Sequence, residues 1–203
     1  MRRVFRLPIP WALVIPCALV ILASGCASTP ESRFYTLSPL PATPAGAPSA
    51  LSVAVGPVTV PAVVDRPQIV VSMGPNRVFL DEFNRWASPL QSSIARVVAD
   101  NLAAMLGTPR VALSSQAVGT DAEYRVAIAV QSFDSAPTEA AALDAVWTVS
   151  RPRDAKSRAG RTSVREPVTE KGYDALAAAH SRAVGRLSRD IAEGLRELDR
   201  TGK

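Results

Sequence analysis

Cysteine and histidine are nearly missing from this sequence, which has two cysteines and one histidine among its 203 residues. A zinc site needs about four ligands, so these side chains are too few to build one. Aromatic residues make up only 5% of the chain, and neither a glycine-rich phosphate loop nor a Gly-x-Ser-x-Gly motif is present. We therefore expect no metal and no cofactor, and the composition favours a protein that is not an enzyme.

A large charge of either sign is also missing once the N-terminus is set aside. The chain has 23 basic and 18 acidic residues, but three of the basic ones, Arg2, Arg3 and Arg6, precede an apolar run that is typical of a cleaved segment. The other 20 basic residues leave a net charge of +2. Such a balance excludes a protein held to nucleic acid by a strong positive field, so we expect no nucleic-acid partner.

Residues 1–25 have the order of a secretory signal peptide. Arginines come first, an apolar stretch covers residues 7–22, and the small residues Ala23, Ser24 and Gly25 precede Cys26. Three prolines interrupt the apolar stretch, which makes it unsuited to a transmembrane helix. The segment resembles a bacterial lipobox, in which the cysteine becomes the acylated first residue of the mature chain. The alternative is a plain secreted protein, but a lone exposed thiol is a liability in an oxidising compartment, which favours lipidation of Cys26.

The residues after Cys26 indicate the membrane in which the protein is anchored. Ala27 and Ser28 follow it, and by resemblance to enterobacterial lipoproteins the lack of aspartate after the cysteine implies the periplasmic face of the outer membrane. Several acyl chains would hold the protein firmly to that membrane, since a single chain is marginal. Prolines and alanines are frequent up to residue 50, so residues 26–50 are expected to form the lipidated end and a stiff tether.

The rest of the chain alternates between strand and helix patterns. Short loops between successive strands favour antiparallel pairing. We therefore expect one α+β domain over residues 51–203, with a mainly antiparallel sheet and two helices packed on one face. Alternation of apolar and polar side chains predicts strands over residues 33–40 (joining the domain), 51–60, 68–72, 78–80, 110–113, 124–133, 142–149 and 162–168.

Two segments have helical spacing. Ser88, Pro89 and Gln91 form a predicted capping box, and Gly107 predicts the end of that helix. An apolar stripe over residues 173–198 predicts the second helix. The single histidine, His180, lies on this stripe, so a packed histidine is favoured over a general base.

Two groups of residues are candidates for binding. The first combines polar and aromatic side chains in two runs, with the partner-binding candidates Asp65, Arg66, Pro67, Gln68, Arg85 and Trp86. Trp86 has an alternative interpretation, as an apolar residue that packs the start of the first helix. The second group is a basic segment with a net charge of +5 over residues 151–165, formed by Arg151, Arg153, Lys156, Arg158, Arg161 and Arg165 against Asp154. It is either a solvated hairpin tip or a contact for lipid headgroups or an acidic partner.

The order of several short motifs is similar to that of the PqiC-type (YmbA) auxiliary lipoproteins of ABC-type transport. These motifs are Arg33-Phe34-Tyr35-Thr36-Leu37, Val55-Gly56-Pro57-Val58 with Pro61, residues 65–70, Asn76-Arg77, residues 85–90, Asn101-Leu102-Ala103 and Leu106-Gly107. The resemblance implies a lipoprotein that works with an MCE-domain protein of an ABC system carrying phospholipids between the two membranes. It supplies no catalytic residues.

Three functions follow as hypotheses. The first is a lipid-anchored docking component of such a transport system, with the membrane and the MCE-domain protein as partners and self-association left open. The second is a structural lipoprotein of outer-membrane biogenesis without a transport role. The third is a hydrolase, for which the sequence offers no evident nucleophile and base.

Overall fold

The computed structural model describes residues 30–41, 49–116, 119 and 121–201. The predicted signal peptide, Cys26 and most of the predicted tether lie outside these residues. The described elements belong to one compact unit, Ser32–Lys203. In chain order they are β1 (Arg33–Tyr35), β2 (Val53–Thr59), β3 (Gln68–Ser72), β4 (Val78–Trp86), α1 (Leu90–Leu106), β5 (Val111–Leu113), β6 (Tyr124–Ala136), β7 (Ala140–Arg151), a 3-10 turn (Pro152–Asp154), β8 (Lys156–Pro167) and α2 (Tyr173–Arg200).

Strand β6 organises the sheet. One of its edges pairs with β7 along its length, and β7 in turn pairs with β8. The other edge pairs with β2 in its first half and with β3 at Ser135. Strand β5 extends the sheet beyond β2, while β4 and then β1 extend it beyond β3.

The fold is α+β, as predicted, but the prediction of a mainly antiparallel sheet is not confirmed. Of the seven strand pairs, four are parallel. The three antiparallel pairs join strands that follow each other along the chain, because a short loop between two strands allows only antiparallel pairing. The parallel pairs join strands distant in sequence, such as β1 with β4, so loop length could not predict them.

Helix α1 ends where the sequence predicts and begins without the predicted capping box. Gly107 has the left-handed conformation, with φ 63°, and its N–H donates to the carbonyl of Ala103. At the other end Pro89 is the N-cap residue, and no side chain caps the helix. The amide of Gln91 donates instead to Asp65 Oδ2 at 3.1 Å. A tertiary contact has therefore replaced the predicted local one.

The two helices contact each other and both pack on the sheet, which places them on the same side of it. Asn101 of α1 donates to Ser188 of α2. Trp147 of β7 fits against α2 at Gly194 and against β8 at Gly160, because any Cβ at these glycines would collide with its indole ring. Its Nε1 donates to Thr162 Oγ1 at 3.2 Å.

The chain after β1 is docked onto the helices. Strand β1 is shorter than the predicted 33–40, and residues 36–41 follow it without regular structure. The backbone N–H of Leu40 donates to Asn101 Oδ1, and that of Ser38 donates to Ser181 Oγ. The side chain of Leu40 also packs on Gly185, where a Cβ would not fit. The folded unit therefore includes this segment and β1, well before residue 51.

Candidate partner-binding site

The fold brings together the two runs that the sequence marks as partner-binding candidates. Gln68, the first residue of β3, lies opposite Arg85 of β4. The backbone N–H of Trp86 donates to the carbonyl of Pro67 at 2.7 Å, and Asp65 accepts from Gln91 at the start of α1. We call the five residues Asp65, Arg66, Pro67, Gln68 and Arg85 the 65–85 surface.

The 65–85 surface is compact, with both signs of charge. Arg85 donates through Nε to the carbonyl of Glu82 at 2.7 Å, and Gln68 donates to the Glu82 carboxylate. Asp65 and Pro67 are exposed, whereas Arg66, Gln68 and Arg85 are half-buried. Such a surface of fixed, mixed charges can recognise a partner by charge complementarity. Its role in binding remains a prediction.

Trp86, the sixth candidate of this group, lies in the core and only 6% of its surface is exposed. Its ring meets the edges of Phe133 and His180, with centroids 6.1 Å and 5.9 Å away. Trp86 is therefore a packing residue, but its ring contacts are with β6 and α2, whereas the alternative interpretation had it packing the start of α1. Very little of the side chain is left for a partner to contact.

His180 is fully buried beside Trp86 and stacks on Phe133 at 4.0 Å. Burial lowers its pKa to about 3, so the ring is neutral at pH 7. Nε2 lies 2.8 Å from Ser135 Oγ, whereas Nδ1 has no hydrogen-bond partner among the described residues. Buried N–H groups without a partner are rarer in proteins than buried acceptors without one, which favours the tautomer in which Nε2–H donates to Ser135 Oγ.

The contact between Ser135 and His180 bears on the hydrolase hypothesis. A serine beside a histidine is the geometry of an activated nucleophile, but a third group must orient the histidine. Here Nδ1 has no such group among the described residues, and Ser135 is itself buried. A substrate cannot reach the pair in this conformation, so the contact gives the hydrolase hypothesis no support.

A buried carboxylate that the sequence analysis missed shapes β4. Asp81 accepts hydrogen bonds from the backbone N–H groups of Phe83 and Asn84, from the Asn84 amide, and from Tyr173 Oη at 2.6 Å. Burial raises the pKa of Asp81, but these hydrogen bonds lower it by more, so it stays ionised at neutral pH. Tyr35 donates to Asn84 and joins β1 to this network. The sequence offered little sign of this role, because two adjacent acidic residues, Asp81 and Glu82, are typical of a solvated loop.

The basic segment is the β7–β8 hairpin with its 3-10 turn, and each of its six basic side chains has a partner. Arg151 is only 1% exposed; it binds both oxygens of Asp154 and contacts Tyr124. The hairpin confirms the predicted return of the chain. The other five partners are Glu123 for Arg153, the Thr201 carbonyl for Lys156, Glu197 for Arg158, Asp144 for Arg161 and Glu139 for Arg165. Five of the six positive charges are therefore paired with a carboxylate, and the role of the segment in binding lipid or a partner remains a prediction.

Neither a metal-binding cluster nor a membrane-spanning helix occurs in the described part of the chain. No group of three or more histidine, cysteine, aspartate or glutamate side chains is placed to hold a metal ion there. Within the same residues, no helix has both the length and the apolar character needed to cross a membrane.

Comparison with known proteins gives a family and a fold. The family model described as the ABC-type transport auxiliary lipoprotein component matches residues 35–192. A comparison with curated proteins gives no match.

Two solved structures are similar to this chain over most of their length. One is a crystal structure of an uncharacterized protein, with a TM-score of 0.68, 19% identity, and coverage of 82% of this chain and 99% of the other. The second is protein XCC0632 of Xanthomonas campestris, of family DUF330, with a TM-score of 0.66, 16% identity, and coverage of 84% and 98%. At such identities the two structures show a common fold.

Proposed function

Because this chain belongs to the family of ABC-type transport auxiliary lipoprotein components, we propose that it is the docking component of an MCE-type lipid transport system, anchored to the outer membrane and facing the periplasm. The observation that carries this proposal is the extent of the family match, from Tyr35 of β1 to within α2. That range includes the whole 65–85 surface. The proposed mechanism needs a membrane anchor and a surface complementary to the MCE-domain protein.

The membrane hold is assigned to Cys26. Its acylation would keep the folded unit beside the bilayer, where a partner that spans the periplasm arrives. Changing Cys26 to Ser should abolish labelling by radioactive palmitate and release or mislocalise the protein, because serine cannot form the thioether of the anchor. Labelling that survives Cys26→Ser would end the lipoprotein assignment.

The complementary surface is assigned to the 65–85 surface. Asp65 and Arg66 lie in the segment just before β3, and Arg85 lies on the neighbouring strand β4 opposite Gln68, so one partner can contact all three charges. Asp65→Lys together with Arg85→Glu should weaken binding of the MCE-domain protein and abolish complementation of an envelope defect, because like charges would then face each other. The thermal unfolding temperature should fall only slightly, because Asp65 is exposed and Arg85 keeps about a third of its side chain exposed, with its contacts at Glu82 on the surface.

Photo-crosslinking in cells separates direct docking from an indirect effect. A photoreactive residue at Gln68 should crosslink to the MCE-domain protein, whereas the same residue at Ser163, which is exposed on β8, should not. Equal crosslinking at the two positions would contradict a specific docking surface. Absence of crosslinking at Gln68 would favour a structural lipoprotein without a transport partner.

A further inference from the structure

Strand β4 contains a bulge at the point where it reaches the 65–85 surface. Its pairing with β3 is regular as far as Asp81, and a regular continuation would place Glu82 opposite Gln68. Gln68 instead lies opposite Arg85, so residues 82–84 are extra residues in β4. Bulges of this kind re-aim side chains and are frequent beside functional sites.

The bulge decides which charge of β4 lies beside Gln68. In a regular pair the acidic Glu82 would take this place, whereas the observed register gives it to the basic Arg85. The Glu82 carboxylate then accepts hydrogen bonds from both Gln68 and Arg85. The same register brings the Trp86 N–H within 2.7 Å of the Pro67 carbonyl. The charge pattern of the 65–85 surface therefore depends on the bulge.

Asp81 holds the backbone of the bulge. Its Oδ1 accepts the N–H groups of Phe83 and Asn84 at 3.0 Å and 2.9 Å, and its Oδ2 accepts the Asn84 amide at 2.9 Å. A bulge leaves backbone groups without partners in the strand ladder, and this carboxylate bonds two of them. Because Asp81 is only 8% exposed, little water competes for these hydrogen bonds.

Tyr173, the first residue of α2, holds Asp81 in turn. Its Oη donates to Asp81 Oδ2 at 2.6 Å, across 92 positions of the chain. On the other side of the network, Tyr35 of β1 donates to Asn84 Oδ1 at 2.8 Å. The bulge is therefore fixed by groups from β1 and α2 that lie outside the 65–85 surface.

We propose that Asp81 and Tyr173 are positioning residues of the docking site, which hold the bulge that presents Arg85 beside Gln68. Asp81 is buried and Tyr173 is half-buried, and both act on the MCE-domain protein through the backbone of β4. This proposal rests on the docking role of the 65–85 surface in the proposed function.

A pair of tyrosine variants tests this role in the full-length acylated protein in detergent micelles. Tyr173→Phe removes only the hydroxyl that holds Asp81. The matched control is Tyr124→Phe, because the Tyr124 hydroxyl also donates to a carboxylate, Asp199, at 3.0 Å, and lies at the end of β6 away from its pairing with β3. Both variants should lower the unfolding temperature. Only Tyr173→Phe should weaken binding of the purified MCE-domain protein, by severalfold.

Substitutions of Asp81 provide a rescue within the same position. Asp81→Ala removes every acceptor and should weaken binding more than Tyr173→Phe does. Asp81→Asn retains Oδ1 for the N–H groups of Phe83 and Asn84, so it should restore most of the binding that alanine loses.

Amide hydrogen exchange, followed by NMR, reports the bulge itself. Exchange at Phe83 and Asn84 should be severalfold faster in Tyr173→Phe and faster still in Asp81→Ala. Amides in the β6–β7 pair should exchange as in the wild type, because a purely global loss of stability would affect them as well.

The outcomes separate this proposal from the docking function. If Tyr173→Phe and Asp81→Ala bind like the wild type while the combined Asp65→Lys and Arg85→Glu variant does not, the positioning role is wrong and the docking surface stands. Equal loss of binding in Tyr173→Phe and Tyr124→Phe, or unchanged exchange at Phe83 and Asn84 in Tyr173→Phe, also overturns the positioning role. If the charge-reversal variant binds like the wild type, the docking surface and this proposal fail together.

Discussion

At the scale of single residues, side chains with functional chemistry in the sequence have structural roles in the core. Trp86, His180 and Phe133 pack together, and the buried Arg151 pairs with the exposed Asp154. His180 bonds Ser135 through Nε2 and stacks on Phe133, while Arg151 bonds both Asp154 and Tyr124. The candidates that stay accessible are those of the 65–85 surface and the exposed basic side chains of the β7–β8 hairpin.

Truncation of Trp86 tests its role in packing. Trp86→Ala should lower the free energy of unfolding by about 3–5 kcal/mol, because the ring leaves a cavity against Phe133 and His180. Urea denaturation measures the change. The neighbouring Arg85→Ala is the control and should cost about 0.5 kcal/mol or less. Unchanged stability with lost partner binding would return Trp86 to the docking surface.

The burial of His180 predicts a dependence of stability on pH. Its pKa is about 3 in the folded protein and about 6.5 in the unfolded chain. The unfolded chain therefore binds the extra proton first, and stability falls as the pH drops below 6.5. Between pH 7 and pH 5 the expected loss is about 2 kcal/mol.

Denaturation of the His180→Phe variant at the two pH values isolates this contribution. Phenylalanine keeps the stacking on Phe133 and cannot titrate, so the variant should lack the loss seen in the wild type. An equal pH dependence in both proteins would show that His180 does not stay neutral in the folded state.

At the scale of elements, the β7–β8 hairpin and α2 fit together around Trp147. Glycines at 160 and 194 leave the space that its ring occupies. The hydrogen bond from Trp147 to Thr162 continues to Asp190 of α2, since Thr162 Oγ1 donates to that carboxylate. The side chain of Trp147 therefore joins β7, β8 and α2.

Gly160→Ala tests this fit. The added methyl group collides with the Trp147 ring, so the ring or β8 must shift, at a cost of about 1–3 kcal/mol. Thermal or urea unfolding reports the change. Ala159→Val adds bulk at the adjacent exposed position and should stay within about 0.5 kcal/mol of the wild type. Equal effects of the two substitutions would place Trp147 elsewhere.

At the scale of the whole molecule, a buried histidine and paired charges suit a protein that acts by its position. General acid–base chemistry needs a group with a pKa near the working pH beside a substrate, and His180 meets neither condition. The proposed docking surface needs only to stay in place.

Complementation of an envelope defect distinguishes position from chemistry. His180→Gln should keep function as long as the protein folds, because the amide can still bond Ser135. The combined Asp65→Lys and Arg85→Glu variant should lose function at equal abundance. If folded, anchored His180→Gln protein failed to complement, a catalytic role would replace the docking role.

The sequence by itself determined the features that depend on neighbours along the chain. Helix α1 ends at Gly107, α2 begins at Tyr173, and the β7–β8 hairpin returns as predicted, because periodicity and backbone preference act locally. The motif order around residues 65–70 and 85–90 was enough to indicate the family.

Only the tertiary structure decided the contacts between distant residues. It paired β2 with β6 in parallel, docked residues 36–41 onto the helices, and placed Asp81 under Tyr173. It also gave each basic residue of the β7–β8 hairpin a partner, four of them outside the hairpin's own turn and strands. These contacts form because the whole chain buries particular surfaces together, and the gain from packing must exceed the entropy cost of closing the loops between them. A local sequence pattern carries no information about either quantity.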